Sequence, residues 1–282
     1  IMPSLVGSEM CIRDRGITFS KYKKSDAKKE LLNNLNTGKI EPACYWAAEY
    51  ICAGHYADIW EIIMFFCSKH IHLGNPKLPI YLELRLTHFK QILNGGYQDN
   101  VLKMRNNYKI RKLFGEIISV LCCSKKKHTF DNIKIKKDDF NITKITYKMK
   151  ADSTTYASRI FKKEDPNELF IGINEFYWNI LKSQKNGSVA CYWLEWVLGF
   201  EDICKKENKR YSGGRRSNMP VEGKYQKDII WMLWECLLLE ANNRSKGLHK
   251  IMTSLLGLFC LRYKPGVRRR RKYLIYFGNN LL

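Results

Sequence analysis

An all-α fold of two related helical halves, arranged as a bundle or short solenoid and joined by a basic segment, is predicted by three observations. The first is periodicity. Cys44, Ala47, Ala48, Ile51 and Cys52 fall at helical spacing, and Ile59, Ile62, Ile63, Phe66 and Cys67 repeat it. Second, glycine and proline punctuate these stripes, with Gly54 between the two and Gly74 and Pro76 after them. Third, Ala43-Cys44-Tyr45-Trp46 returns as Ala190-Cys191-Tyr192-Trp193, and Trp60-Glu61 is echoed by Trp234-Glu235.

The 282 residues carry a formal net charge of +22 with 45% hydrophobic residues, which describes a folded basic chain rather than a disordered basic tail. Leu5 to Arg15 resembles the in-frame translation of a transposase-based sequencing adapter, so residues 1–15 are set apart and the natural sequence is expected to begin near Gly16. Glu9, Arg13, Asp14 and Arg15 cancel, and the positive excess belongs to the rest. Apart from Cys11, the cysteines lie mostly on apolar helix faces and never as a CxxC pair. That usage favours a reducing, intracellular compartment. No apolar run approaches the roughly 20 residues needed to span a bilayer.

Taken in order, residues 16–124 read as an N-terminal helical half. Ser25 to Asn36 carries Leu31, Leu32 and Leu35 on one side and stops at Gly38. Pro42 suits a first helical turn, and the helix after Gly54 starts with Asp58 as cap and Glu61 three residues on. Pro79 opens a third long helix on Leu82, Leu86, Phe89 and Leu93, closed by Gly95-Gly96; Ile110 to Cys122 keeps register as a fourth. Residues 125–155 lose the helical period. Two short strands around Asp138-Asp139, or a mobile basic linker, are the alternatives there. Residues 156–282 resume with a helix capped near Asp165-Pro166, the second Ala-Cys-Tyr-Trp helix, a basic glycine-containing insertion at 205–223 expected on the surface, and helices over 225–241 and 248–259. The basic run 268–272 follows, read as a solvated helix or tail before the apolar Tyr273–Phe277.

The Tyr45-Trp46-Ala47-Ala48-Glu49 helix, the turn from His70 through Asn75-Pro76 to Lys77, and the basic end resemble uncharacterised proteins of nucleocytoplasmic large DNA viruses over most of residues 40–275. The resemblance implies a viral setting in host cytoplasm, viral factory, nucleus or virion, and no activity.

Phosphate-loop, HExxH and GxSxG signatures are absent. Glu49, Glu61, Glu195, Asp228 and Glu235 lie among aromatics, where carboxylates either serve chemistry or simply bond a neighbouring helix. Cys52-x2-His55 and Cys67-x2-His70 offer four soft ligands that could close a tetrahedral zinc site; the competing reading is buried thiols with a surface histidine. Tyr45, Trp46, Trp60, Trp178, Trp193, Trp196, Trp231 and Trp234 default to the core, with Trp196 and Trp234 expected nearest the surface. The candidate nucleic-acid-binding cations are Lys125, Lys126, Lys127, Lys205, Lys206, Lys209, Arg210, Arg215, Arg216, Arg268, Arg269, Arg270, Arg271 and Lys272. The expectation is a non-enzymatic nucleic-acid-associated module. The alternatives are a structural or assembly protein docking an acidic partner, and an enzyme with its own unrecognised site.

Overall fold

The computed structural model describes residues 16–96, 101–127, 133–206 and 211–282. Its described residues are mostly helical and form no strand; an isolated bridge joins Ile17 and Lys23. They divide into two compact units, one ending at 127 and the other starting at 133. Among the described residues no helix is long and apolar enough to cross a membrane.

In the first unit α1 (Lys24–Thr37) buries Ala27, Leu31 and Leu35. Gly38 closes it at φ 74°, a left-handed conformation in which glycine avoids the Cβ penalty. α2 (Ile40–Cys52) packs on α1, and α3 (Tyr56–Phe66) is apolar on nearly every side because it runs through the centre of the unit. α3 differs from expectation at both ends. Its N-cap is His55, while Asp58 stands in the first turn and pairs with Lys24 at 2.8 Å. At the other end the α-helix stops at Phe66, and a π turn (Cys67–Ile71) and a 3-10 turn (His72–Gly74) carry the chain on. α4 (Leu78–Asn94), the short α5 (Val101–Asn106) and α6 (Tyr108–Cys123) complete the unit, with Asn107 capping α6 through its side chain. Trp60, Phe89 and Phe114 meet at its centre with ring centroids 5.4–6.1 Å apart, so one aromatic cluster ties α3, α4 and α6.

The segment 133–155 belongs to the second unit and is neither hairpin nor free linker. It forms a 3-10 turn (Lys137–Phe140), the one-turn α7 (Ile142–Ile145) and further turns. The Trp196 indole donates to the Asp139 carbonyl at 2.6 Å, Phe140 stacks on the same indole, and the Lys150 and Ala151 amides donate to buried Glu175. Alternation of Ile with Lys reads as a strand in one dimension; here the segment's polar backbone finds partners on helices instead.

α8 (Phe170–Ile180) and α9 (Gly187–Lys206) pack side by side. Gly172 permits this contact, since a Cβ there would lie 2.7 Å from the Trp196 ring. α10 (Ile230–Arg244), α11 (Lys246–Phe259), capped by Ser245, and α12 (Arg268–Leu281) close the core. The Ala-Cys-Tyr-Trp echo marks a helix in each unit but not the same surroundings. Ala43 and Ala190 are both buried, whereas Trp46 is half-buried and Trp193 wholly buried.

Candidate nucleic-acid interface

Four of the five side chains in the positive run of α12 are paired within the second unit, and two of them, Arg268 and Arg271, are buried. The Arg268 guanidinium is buried and bonds Glu201 at 2.6 Å and Asp228 at 2.8 Å. Arg271 is buried and donates to the carbonyls of Phe259 and Leu261 at 2.6 and 2.7 Å, closing the C-terminal end of α11. Arg269 bonds Asp202, and Lys272 bonds Glu195, which also accepts the Tyr276 hydroxyl at 2.6 Å. Arg270 alone of the five is exposed with no such partner. Acidic residues absent from the run itself are thus delivered by α9 and by Asp228 just before α10, which leaves Arg270 as the exposed cation of the run without a carboxylate partner among the described residues.

The expectation that the basic insertion lies on the surface is overturned at Arg216. Arg216, expected at the surface, has no exposure at all: its guanidinium bonds Asp165 at 2.5 and 2.6 Å, Glu235 at 2.9 Å and the Gly214 and Ile160 carbonyls. Met219 and Gln226 are buried beside it, so the loop is part of the unit's wall. Burial opposes ionisation of Asp165, but the bonds from Arg216 and from the Lys162 and Gly214 amides outweigh it and hold its pKa below the ordinary carboxylate value. Arg215 is exposed and donates to Gln226 at 2.8 Å, and Lys206 is exposed. Lys209 and Arg210 lie outside the described residues, as does the side chain of Lys205. In the first unit Lys125 and Lys127 are exposed, while half-buried Lys126 donates to the Cys122 carbonyl.

Cys52, His55, Cys67 and His70 do not gather: among the described residues no three His, Cys, Asp or Glu side chains could hold a metal ion. His55 is buried and its Nε2 lies 2.8 Å from the Ile17 carbonyl; the Cys67 thiol is fully enclosed, which pushes its pKa up; His70 stacks on Phe66. His55, Cys67 and His70 thus have packing contacts, and Cys52 is half-buried on α2.

The carboxylates are engaged as well. Asp228 and Glu235 are held by Arg268 and Arg216, as above. Glu195 lines an open cleft of about 600 Å³ with Phe140, Asp202 and Arg269, and its oxygen is taken by Lys272 and Tyr276.

The aromatic expectation inverts. Trp196 and Trp234 are buried, whereas Tyr45 is 50% exposed and touches half-buried Trp46 at 5.3 Å between centroids. Trp46 in turn meets Tyr22 at 5.1 Å. Tyr22 is 43% and Phe19 54% exposed, and both stand on a tight turn before α1 closed by the Ile17–Lys23 bridge. Glu49 of α2 holds that turn. Its buried carboxylate accepts from Thr18 Oγ1 and the Ser20 amide at 2.8 Å and from Ser20 Oγ at 2.7 Å, while Tyr50 donates to the Lys24 carbonyl at 2.6 Å. The turn is tight enough to put Lys21 at φ 67°. Lys21 and Lys23 are exposed and make no ion pair with described residues. Beside Tyr22, the Tyr45 phenol has its pKa raised, first by that neighbour and then by burial. The sequence expectation did not include Phe19, Lys21, Tyr22 and Lys23; the alternation Phe19-Ser20-Lys21-Tyr22-Lys23-Lys24 is the signal that points to them.

No known protein family, curated protein or solved structure matches the chain.

Proposed function

We propose that this protein is a non-enzymatic, nucleic-acid-associated helical module, acting in the genome handling or transcription of a large DNA virus and held in a reducing compartment. The observation that carries the reading is the cationic excess left over once the internal pairs are formed. Lys21, Lys23, Lys125, Lys127, Lys206 and Arg270 are exposed without a carboxylate partner among the described residues, while Arg216, Arg268 and Arg271 are absorbed by the core. A surface of unneutralised lysines attracts polyanions through phosphate neutralisation and counterion release. The described carboxylates with determined partners serve as structural acceptors, which favours a binding role over catalysis.

Binding of single- and double-stranded oligonucleotides at several salt concentrations tests this. We expect log K to fall linearly with log salt, with a slope of about 0.7 to 0.9 per phosphate contact. Absence of binding to both at low salt overturns the reading and moves preference to a structural protein docking an acidic partner.

A further inference from the structure

We propose that the turn Phe19–Lys23 and the exposed side of α2 form a stacking site for unpaired bases, so that the polyanion recognised at this face is a single-stranded polynucleotide. The inference rests on the nucleic-acid reading above and adds to it the place and the strand state.

Three features of this face fit unpaired bases. Phe19, Tyr22 and Tyr45 offer exposed rings, and half-buried Trp46 makes edge contacts with both tyrosines. A base inside a duplex is already stacked on both faces and cannot reach such rings; a splayed base in a single strand can. Charge complements the rings. Lys21 and Lys23 flank Tyr22 in the chain, are exposed, and make no ion pair among the described residues, so a strand whose bases lie on the rings finds cations for its phosphates alongside. Exposed Glu41 lies one turn before Tyr45 and repels phosphate, which bounds the face on that side.

The face is also fixed before any ligand arrives. An exposed loop that had to order on binding would lose affinity to conformational entropy. Here the three hydrogen bonds to Glu49, the backbone bond from the Lys24 amide to the Gly16 carbonyl at 3.0 Å and the His55 contact to Ile17 hold the turn against α2. The buried Glu49 carboxylate accepts from Thr18 and Ser20 of this turn, while the turn's aromatics Phe19 and Tyr22 stay exposed, so the rings are presented on a fixed backbone.

The test uses the full chain, an oligothymidylate, and the same strand annealed to its complement. Trp46 fluorescence and anisotropy of the labelled strand report binding. The expected result is tighter binding of the single strand, with Trp46 emission changed on saturation. Tyr22→Ala with Tyr45→Ala should weaken single-strand binding about tenfold or more while leaving the salt slope unchanged, because stacking releases no counterions. Tyr45→Phe, which keeps the ring, should retain wild-type affinity. Lys21→Gln with Lys23→Gln should instead flatten the slope, by up to about 1.4. Since these side chains are exposed, circular dichroism should be unaltered; if the tyrosine pair unfolds the chain, Phe19→Ala carries the same prediction. Single-strand binding unchanged in the ring variants, or a duplex bound as tightly as the single strand, overturns this inference and leaves the nucleic-acid reading standing. Failure of the wild-type chain to bind either form overturns both.

Discussion

Arg216 and Glu49 are buried charges with opposite consequences. Arg216 binds inward, between Asp165 and Glu235, and replaces solvent entirely. Replacing it with Met keeps much of the volume but strands two carboxylates, so Arg216→Met should lower stability by about 3–5 kcal/mol, read by denaturant unfolding. Asp165 adds a pH signature. Its folded pKa lies below the unfolded value, so its contribution is complete above about pH 4 and is lost as pH falls through the lower folded value. Asp165→Asn should therefore destabilise the protein at neutral pH and remove part of the acid-unfolding limb below the ordinary carboxylate range. Glu49 binds outward, to a surface turn. Glu49→Ala should cost about 1–3 kcal/mol through the donors of Thr18 and Ser20 left unmet, with the loss confined to the first unit and visible as faster amide exchange at Ser20.

At the scale of elements, α12 explains why five adjacent positive charges need not make a binding tail. On a helix, residues 268 and 271 share a face, and that face lies against α9, α10 and α11, where Glu201, Asp228 and the last carbonyls of α11 receive it. Arg268→Gln and Arg271→Gln should each lower the unfolding midpoint. Arg270→Gln should change stability by no more than about 0.5 kcal/mol, since its side chain is exposed. In binding experiments the run should account for about one duplex phosphate contact, a slope change near 0.9, rather than several. Between α8 and α9 the constraint is steric. Gly172→Ala drives a methyl into the Trp196 ring and should cost about 1–3 kcal/mol, measured by thermal unfolding.

Across the whole molecule the cysteines report the core. Burial pushes the Cys191 and Cys260 thiols up to about 12 and Cys122 up to about 11, while Cys67 and Cys236 are enclosed completely. Thiolate is the reacting form, so in the native protein Cys123, which is exposed, should be alkylated first. The buried thiols should react only as their unit unfolds, which mass spectrometry after timed labelling would resolve. Labelling of Cys67 and Cys236 at one common denaturant concentration would mean that the two units unfold together.

The helices were legible in the chain because their information is local: apolar residues at 3.6-residue spacing, Gly38 and Gly95 as stops, and proline in a first turn require no knowledge of partners. The all-α class and the order of the long helices follow from that alone, whereas the short α5 and α7 carry no such stripe. What tertiary structure decided was the state of each charge and ring. Whether a cation meets a phosphate or a carboxylate is decided by residues distant in the chain, 40 positions for Arg268 and Asp228 and 77 for Lys272 and Glu195, and no local spacing encodes that distance. Trp196 was misplaced for the same reason, because the segment that covers it, 137–140, reads as strand or linker until it finds the indole. Tyr22 and Tyr45 stand together for one further reason beyond the reach of periodicity: a buried carboxylate on α2 accepts hydrogen bonds from a turn 29 residues earlier and holds its aromatics at the surface.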